Sequence, residues 1–145
     1  IHVHSPYGVA VSVQKGGLRR YTQFSMIVNN DLAYHDYEGI ALNLDERERI
    51  VDDIGDKSLL MLRNHGTLVM AASLPEAFLK HWSLQRACEI QVAASAAGTP
   101  VDIPADVIAV HQRDLAGVQL PVGPGVPDFQ AMVRVIDRID SSWRQ

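Results

Sequence analysis

The segment Ser73-Leu74-Pro75-Glu76 constrains this chain more than any other. A serine and a glutamate three residues apart form a capping box, and the intervening proline falls in the first turn, where its missing N–H costs nothing. The spacing predicts a long helix from there to about Ala97, where Gly98 and Pro100 end it. Phe78, Trp82, Ala87, Cys88, Ile90 and Val92 recur along it as an apolar stripe, and such a stripe needs a partner layer. Strand signals supply one. Residues 58–62 and 67–72 are apolar runs on either side of Asn64-His65-Gly66, which reads as the turn between adjacent strands. Residues 31–34 suit a further short strand. Asp45 is placed to cap a charged helix over 46–54 that Gly55 closes. At the start, Ile1 to His4 reads as strand, with Ser5 as N-cap, Pro6 as first helical residue and Gly16-Gly17 as a stop. Beyond the long helix, 104–116 suggests another helix, 117–127 is a Pro/Gly-rich connector, and 129–139 is amphipathic through Met132, Val133, Ile136 and Ile139. Strands mixed with helices along one chain favour a layered α/β fold.

At 145 residues the chain has the length of one domain, able to remove roughly two-thirds of its unfolded surface from water. An apolar fraction of 47% and a charged fraction of 21% argue against disorder and fibrous architecture. The net charge of −4, with no basic cluster beyond Arg19-Arg20, argues against a nucleic-acid partner. No apolar run approaches the ~20 residues that span a bilayer, so no membrane partner is expected. A single cysteine, Cys88, excludes an intrachain disulfide framework and fits a reducing cytoplasm. Ile1 stands where a methionine would begin a chain, and the strand-like text starts at once, so upstream sequence is expected to be missing.

His2 and His4 are one residue apart, so on a strand both rings project from one face, roughly 6.6 Å apart at the backbone. One metal ion can take a nitrogen from each, and catalytic zinc sites commonly use three protein ligands with a position left open. His65, in a tight turn at a strand end, is the best third candidate. Both motifs also have plain structural readings: an H-x-H pair is often incidental, and a turn histidine often caps a carbonyl. Tyr34, His35, Asp36 and Tyr37 form a polar, aromatic cluster able to reach a site, though such side chains commonly satisfy local backbone. Nothing in the pattern brings Glu38 to a metal. His81 and His111 follow helical spacing, and 46–49 reads as a solvated helix face.

Four stretches together resemble the class II aldolase/adducin family: His2-Val3-His4-Ser5-Pro6-Tyr7, Ala33-Tyr34-His35-Asp36-Tyr37-Glu38-Gly39, Leu62-Arg63-Asn64-His65-Gly66, and Glu76-Ala77-Phe78 with Ala87-Cys88-Glu89-Ile90-Gln91. They agree in order and spacing over about residues 1–100, including the interval from His2 to His65; 101–145 would be a C-terminal tail with helices. The resemblance implies a three-layer α/β/α domain with a central mixed or mainly antiparallel sheet, here with its N-terminal part missing. It implies His2, His4 and His65 as ligands of one divalent ion, zinc first, with iron, manganese or cobalt as alternatives. It also implies a homotetramer with sites near subunit interfaces.

By the same resemblance the chain would be an aldolase-type lyase or isomerase acting on a small hydroxy-carbonyl, sugar-phosphate-like substrate, where a dication beside two oxygens would stabilise developing negative charge. The family's catalytic carboxylate and most of its phosphate-binding groups lie upstream of the H-x-H motif, so no residue here inherits those roles. Tyr21-Thr22-Gln23 departs from the aldolase pattern, where a tyrosine proton donor tends to lie. Two alternatives belong to the same family: a non-catalytic adducin-like interaction module, against which the intact histidine triplet counts, and a mononuclear iron oxygenase, since histidine also suits iron.

Overall fold

The computed structural model describes residues 1–40, 44–119 and 121–145. Four strands form one mixed sheet in the order β1-β4-β3-β2: β1 is His2–Val3, β2 Leu32–His35, β3 Leu59–Leu62 and β4 Gly66–Val69. β3 pairs antiparallel with β4 (Leu62 opposite Gly66) and parallel with β2 (His35 beside Leu62), while β1 adds antiparallel to β4 with His2 opposite Leu68. The expected α/β fold with a mixed sheet is what forms. All four residues of β3 are buried, so the strand reads as a continuous apolar run with no alternation. Leu59 and Met61 face one core, shared with Val11, Leu84, Ala87 and Cys88. Leu60 and Leu62 face the other, with Ile54 and the partly buried Ile50.

Helices cover both sides. On one side lie α1 (Pro6–Ser12) and α4 (Leu74–Ala97), which pack on each other and on β4. On the other, α3 (Glu46–Ile54) lies against β2. The Ser73 hydroxyl accepts from the Glu76 N–H and fixes the start of α4 where the capping signal placed it. Its buried face, however, is Ala77, Ser83, Leu84, Ala87, Cys88 and Gln91, whereas Trp82 is 42% exposed and edges onto Phe24, and Phe78 packs on Phe129 of a later helix. Small residues bring α4 close to α1, and that shifts the contact stripe away from the large aromatics.

Three further differences have local causes. The helix α2 (Gln23–Val28) arises from a reciprocal cap between Thr22 and Ser25, in which serine takes the place usually held by glutamate or glutamine. Asp45 occupies the cap position of α3 without a side-chain hydrogen bond to the first turn, and Glu46, expected on a solvated face, is buried because that turn is pressed against β2. Among the described residues two α-helices follow α4, α5 (Ala105–Ala116) and α6 (Val126–Ile139), and then a 3₁₀ turn, Ser142–Arg144. α6 starts earlier than its amphipathic pattern suggested, with Gly125 as its N-cap at φ +73°, where a Cβ would also stand 2.1 Å from the Pro75 carbonyl oxygen. Leu120, within the expected connector, lies outside the described residues. No helix among the described residues is long and apolar enough to cross a membrane.

A buried amide ties the loop before α2 to α4. Gln91 donates to the Gly17 carbonyl (2.9 Å) and to Gln14 Oε1 (2.6 Å), and its own oxygen accepts from the Arg19 N–H (2.6 Å). Gln91→Leu strands these backbone groups in the interior and is expected to lower unfolding free energy by about 2–4 kcal/mol in urea titrations. Burial pushes the Cys88 thiol up to about 12. The folded chain therefore keeps a proton that the unfolded chain releases from about pH 9 upward, so stability is complete below that value and declines as pH rises toward 12. At pH 8 a thiol reagent should modify Cys88 only at the rate of unfolding.

Candidate metal centre

Three histidines meet at one end of the sheet. β1 carries His2 within the strand, and His4 follows just beyond its last paired residue. His65 closes the β3–β4 hairpin turn, in which Asn64 adopts a left-handed conformation (φ +56°), one that asparagine tolerates, and the His65 N–H donates to the Leu62 carbonyl. Gly66 lets β1 approach this turn: a Cβ there would stand 2.5 Å from the Val3 carbonyl oxygen and 3.1 Å from His4 Cδ2. The ring centroids lie 4.8 Å (His2 to His4), 5.1 Å (His2 to His65) and 4.6 Å (His4 to His65) apart. One ligand atom from each lies within 4.8 Å of the others.

The outer contacts of this cluster set its chemistry. His2 Nδ1 is 2.9 Å from the Thr67 carbonyl oxygen. A carbonyl only accepts, so Nδ1 carries the proton, and in the neutral ring Nε2 keeps its lone pair for the cluster. Gln85 Nε2 donates to the Thr67 hydroxyl (3.0 Å) while its oxygen accepts from the Ser5 hydroxyl, which also caps α1. One glutamine on α4 thus holds both the segment after β1 and the strand opposite it. Burial makes His65 less basic, the charges of His4 and then His2 lower it further, and Glu46 opposes them.

These donors fit a metal ion. His2 Nε2 and His4 Nε2 stand 3.0 Å apart, and two imidazole nitrogens bound to one tetrahedral ion at 2.0–2.1 Å stand roughly 3.3 Å apart. A pocket of about 220 Å³ opens beside the cluster on the α3 side of the sheet, lined in part by His2, His65, Tyr37, His35 and Glu46.

The polar cluster read from the sequence divides. Tyr37 approaches His65, with centroids 6.5 Å apart. The Tyr34 hydroxyl instead accepts from the Leu18 N–H, and its ring packs under the Arg63 guanidinium. His35 is buried and bonds Asp53. Glu38 pairs with Arg49. Thr22 caps α2, and His81 and His111 stand on α4 and α5 and do not join the cluster. Glu46, Thr67 and Gln85 escaped the sequence reading, because a buried acid in a charged run and a polar residue inside an apolar helix carry no spacing signal.

A mixed α/β fold with three imidazoles converging at a sheet end defines the class of protein. A sequence model described as the Class II Aldolase and Adducin N-terminal domain matches residues 1–92. The chain belongs to this family. It is 60% identical over 98 residues to a protein of Caulobacter vibrioides named "Putative aldolase class 2 protein", covering 68% of this chain and 38% of that one. An aldolase II superfamily protein from Pseudomonas syringae superposes over the whole chain with a TM-score of 0.89 at 42% identity, covering 58% of that chain. L-fuculose 1-phosphate aldolase from Glaciozyma antarctica covers 94% of this chain and 52% of its own, with a TM-score of 0.72 at 26% identity. The chain therefore spans between about two-fifths and three-fifths of the length of these relatives.

Gly66→Ala should push β1 from the hairpin. The expected result is loss of ring-to-ring NMR contacts between His4 and His65 with far-UV circular dichroism retained, and stability lower by about 1–3 kcal/mol.

Proposed function

We propose that His2, His4 and His65 hold one divalent metal ion in an aldolase-type lyase or isomerase that acts on a small hydroxy-carbonyl substrate. Zinc is the first choice, with iron, manganese or cobalt as alternatives. The observation that carries this reading is the convergence of three imidazole nitrogens within 4.8 Å, one ring already oriented by the Thr67 carbonyl. Class II aldolases typically depend on a divalent metal, and the family match and the fuculose-phosphate aldolase likeness support the same chemistry here. A dication bound there supplies Lewis-acid polarisation of substrate oxygens. The protein's part is to present three neutral donors, leaving the cation's charge undiminished and a coordination position open. The Thr67 carbonyl orients the His2 ring and Gln85 holds the Thr67 side chain, and the apolar walls Ile50, Leu62 and Leu68 limit water beside the cluster.

The histidine set favours this reading over an adducin-like interaction module, since a scaffold has no use for three converging donors. The same reading has residues 1–145 acting as one domain, in the cytoplasm and as a homotetramer; light scattering that returns a monomer counts against the last point.

Titration of the purified protein with zinc at neutral pH should give about one ion per chain. At a free metal concentration a hundred times Kd the added stability is about 2.7 kcal/mol, a rise in Tm of roughly 5–10 °C for a chain of this size. His65→Ala should weaken binding by at least roughly a hundredfold with the fold unchanged, since even outer contacts of metal ligands are worth ten- to a hundredfold. No metal uptake by the wild-type protein overturns the reading.

A further inference from the structure

A second set of titratable side chains lies beside the pocket and has no role in metal ligation. His35, at the end of β2, is only 4% exposed. Its Nδ1 stands 2.7 Å from Asp53 Oδ2, and the Asp53 side chain is 45% exposed. On the opposite side of the ring, Nε2 lies 3.6 Å from Glu46 Oε1, just outside hydrogen-bond reach, and has no hydrogen-bond partner among the described residues. Glu46 is itself 8% exposed and, like His35, lines the pocket that His2 and His65 share. A buried imidazole nitrogen without a partner costs free energy.

We propose that Glu46, His35 and Asp53 form a proton relay between the pocket beside the three histidines and solvent. The chemistry follows from imidazole having two nitrogens. Asp53 orients the neutral ring with the proton on Nδ1, so Nε2 faces Glu46 as an acceptor. A rotation of the Glu46 carboxylate closes the remaining gap. Glu46 takes a proton from an acid in the pocket and passes it to Nε2. As that N–H bond forms, the Nδ1–H bond breaks and its proton moves to Asp53 and on to water. One proton enters, one leaves, and no electrons are transferred. The ring ends in its other tautomer, and the reverse passage restores it. A reaction that withdraws one proton from its substrate and later returns one, as carbon–carbon bond cleavage does, therefore resets the relay without a ring flip. Its use in that reaction rests on the function proposed above; the relay itself does not need the metal.

The test uses the metal-free protein labelled with ¹⁵N-histidine and reads the solvent exchange of the His35 ring proton. Wild type should show the Nδ1–H tautomer. Glu46→Gln and Asp53→Asn keep shape and hydrogen bonding but cannot pass a proton, and since the Nδ1 proton leaves toward Asp53 only as Nε2 gains one from Glu46, each alone should slow exchange by about tenfold or more, toward the behaviour of a protected interior group. The double variant should exchange no more slowly than the slower single variant, because the two substitutions block one path. The Nε2 resonance should also move in Glu46→Gln alone. An Nε2–H tautomer overturns the relay. So does exchange in either single variant as fast as in wild type, because the replaced group then has no part in the path. Zinc titration of the same proteins keeps the two ideas apart: normal exchange behaviour without metal uptake sinks the metal reading and leaves the relay standing.

Discussion

The pairing of β1 with β4 is the interaction on which the candidate site depends. It is only two residues long, and its ladder extends outward through the Ile1 carbonyl, which accepts from the Val69 N–H at 2.8 Å. Hydrogen bonds worth about 1 kcal/mol net apiece do not hold so short an edge strand in a fixed register. The register is fixed from outside the sheet. Gly66 removes the side chain that would keep the strands apart, and Gln85 on α4 joins Ser5 to Thr67. The placing of His2 and His4 opposite His65 is therefore a property of α4 as much as of the strand that carries them.

That gives the long helix two tasks. Its small buried residues, Ala77, Ser83, Ala87 and Cys88, permit close approach to α1 and the sheet, while Gln85 and Gln91 reach from it to the segment after β1, to β4 and to the loop before α2. A buried amide is tolerable only when its donors and its acceptor all find partners, and Gln91 finds them. Polar residues inside an otherwise apolar contact tie the positions of segments far apart in the sequence. Dispersion and burial supply the cohesion, and these few directional bonds select the arrangement.

The same division explains what could be read in advance. Capping residues announce helix starts by local chemistry, so Ser5 with Pro6 and Ser73 with Glu76 were legible, as was the hairpin around Asn64-His65-Gly66. The convergence of His2, His4 and His65 was legible only because an ordered set of motifs accompanied them; the H-x-H spacing alone also fits an incidental pair. Glu46 was not legible. In sequence it opens a run of charges that looks solvated, and only the lie of α3 across β2 turns it inward toward His35. The stripe on α4 was legible only in part, with Ala87 and Cys88 buried as expected, because periodicity marks which residues can share a face, but the size of the partner's side chains decides which face is used. Trp82, large and apolar, lost that contest to Ala87 and Cys88.

Bringing three imidazoles together carries a cost that the rest of the fold must offset. His65, the least exposed of the three, gives up water, and that burial, followed by the charges of His4 and His2, makes it less basic. A surface cluster held by flexible loops would relax by turning the rings outward. Here His2 is pinned by the Thr67 carbonyl, His65 by a hairpin with a left-handed residue before it, and His4 by the short step from β1 into α1. The energy that holds the rings at close quarters comes from packing elsewhere, chiefly the α4 core. A site prepared in this way spends little further free energy on ordering its donors when a ligand arrives, which is the physical content of preorganisation.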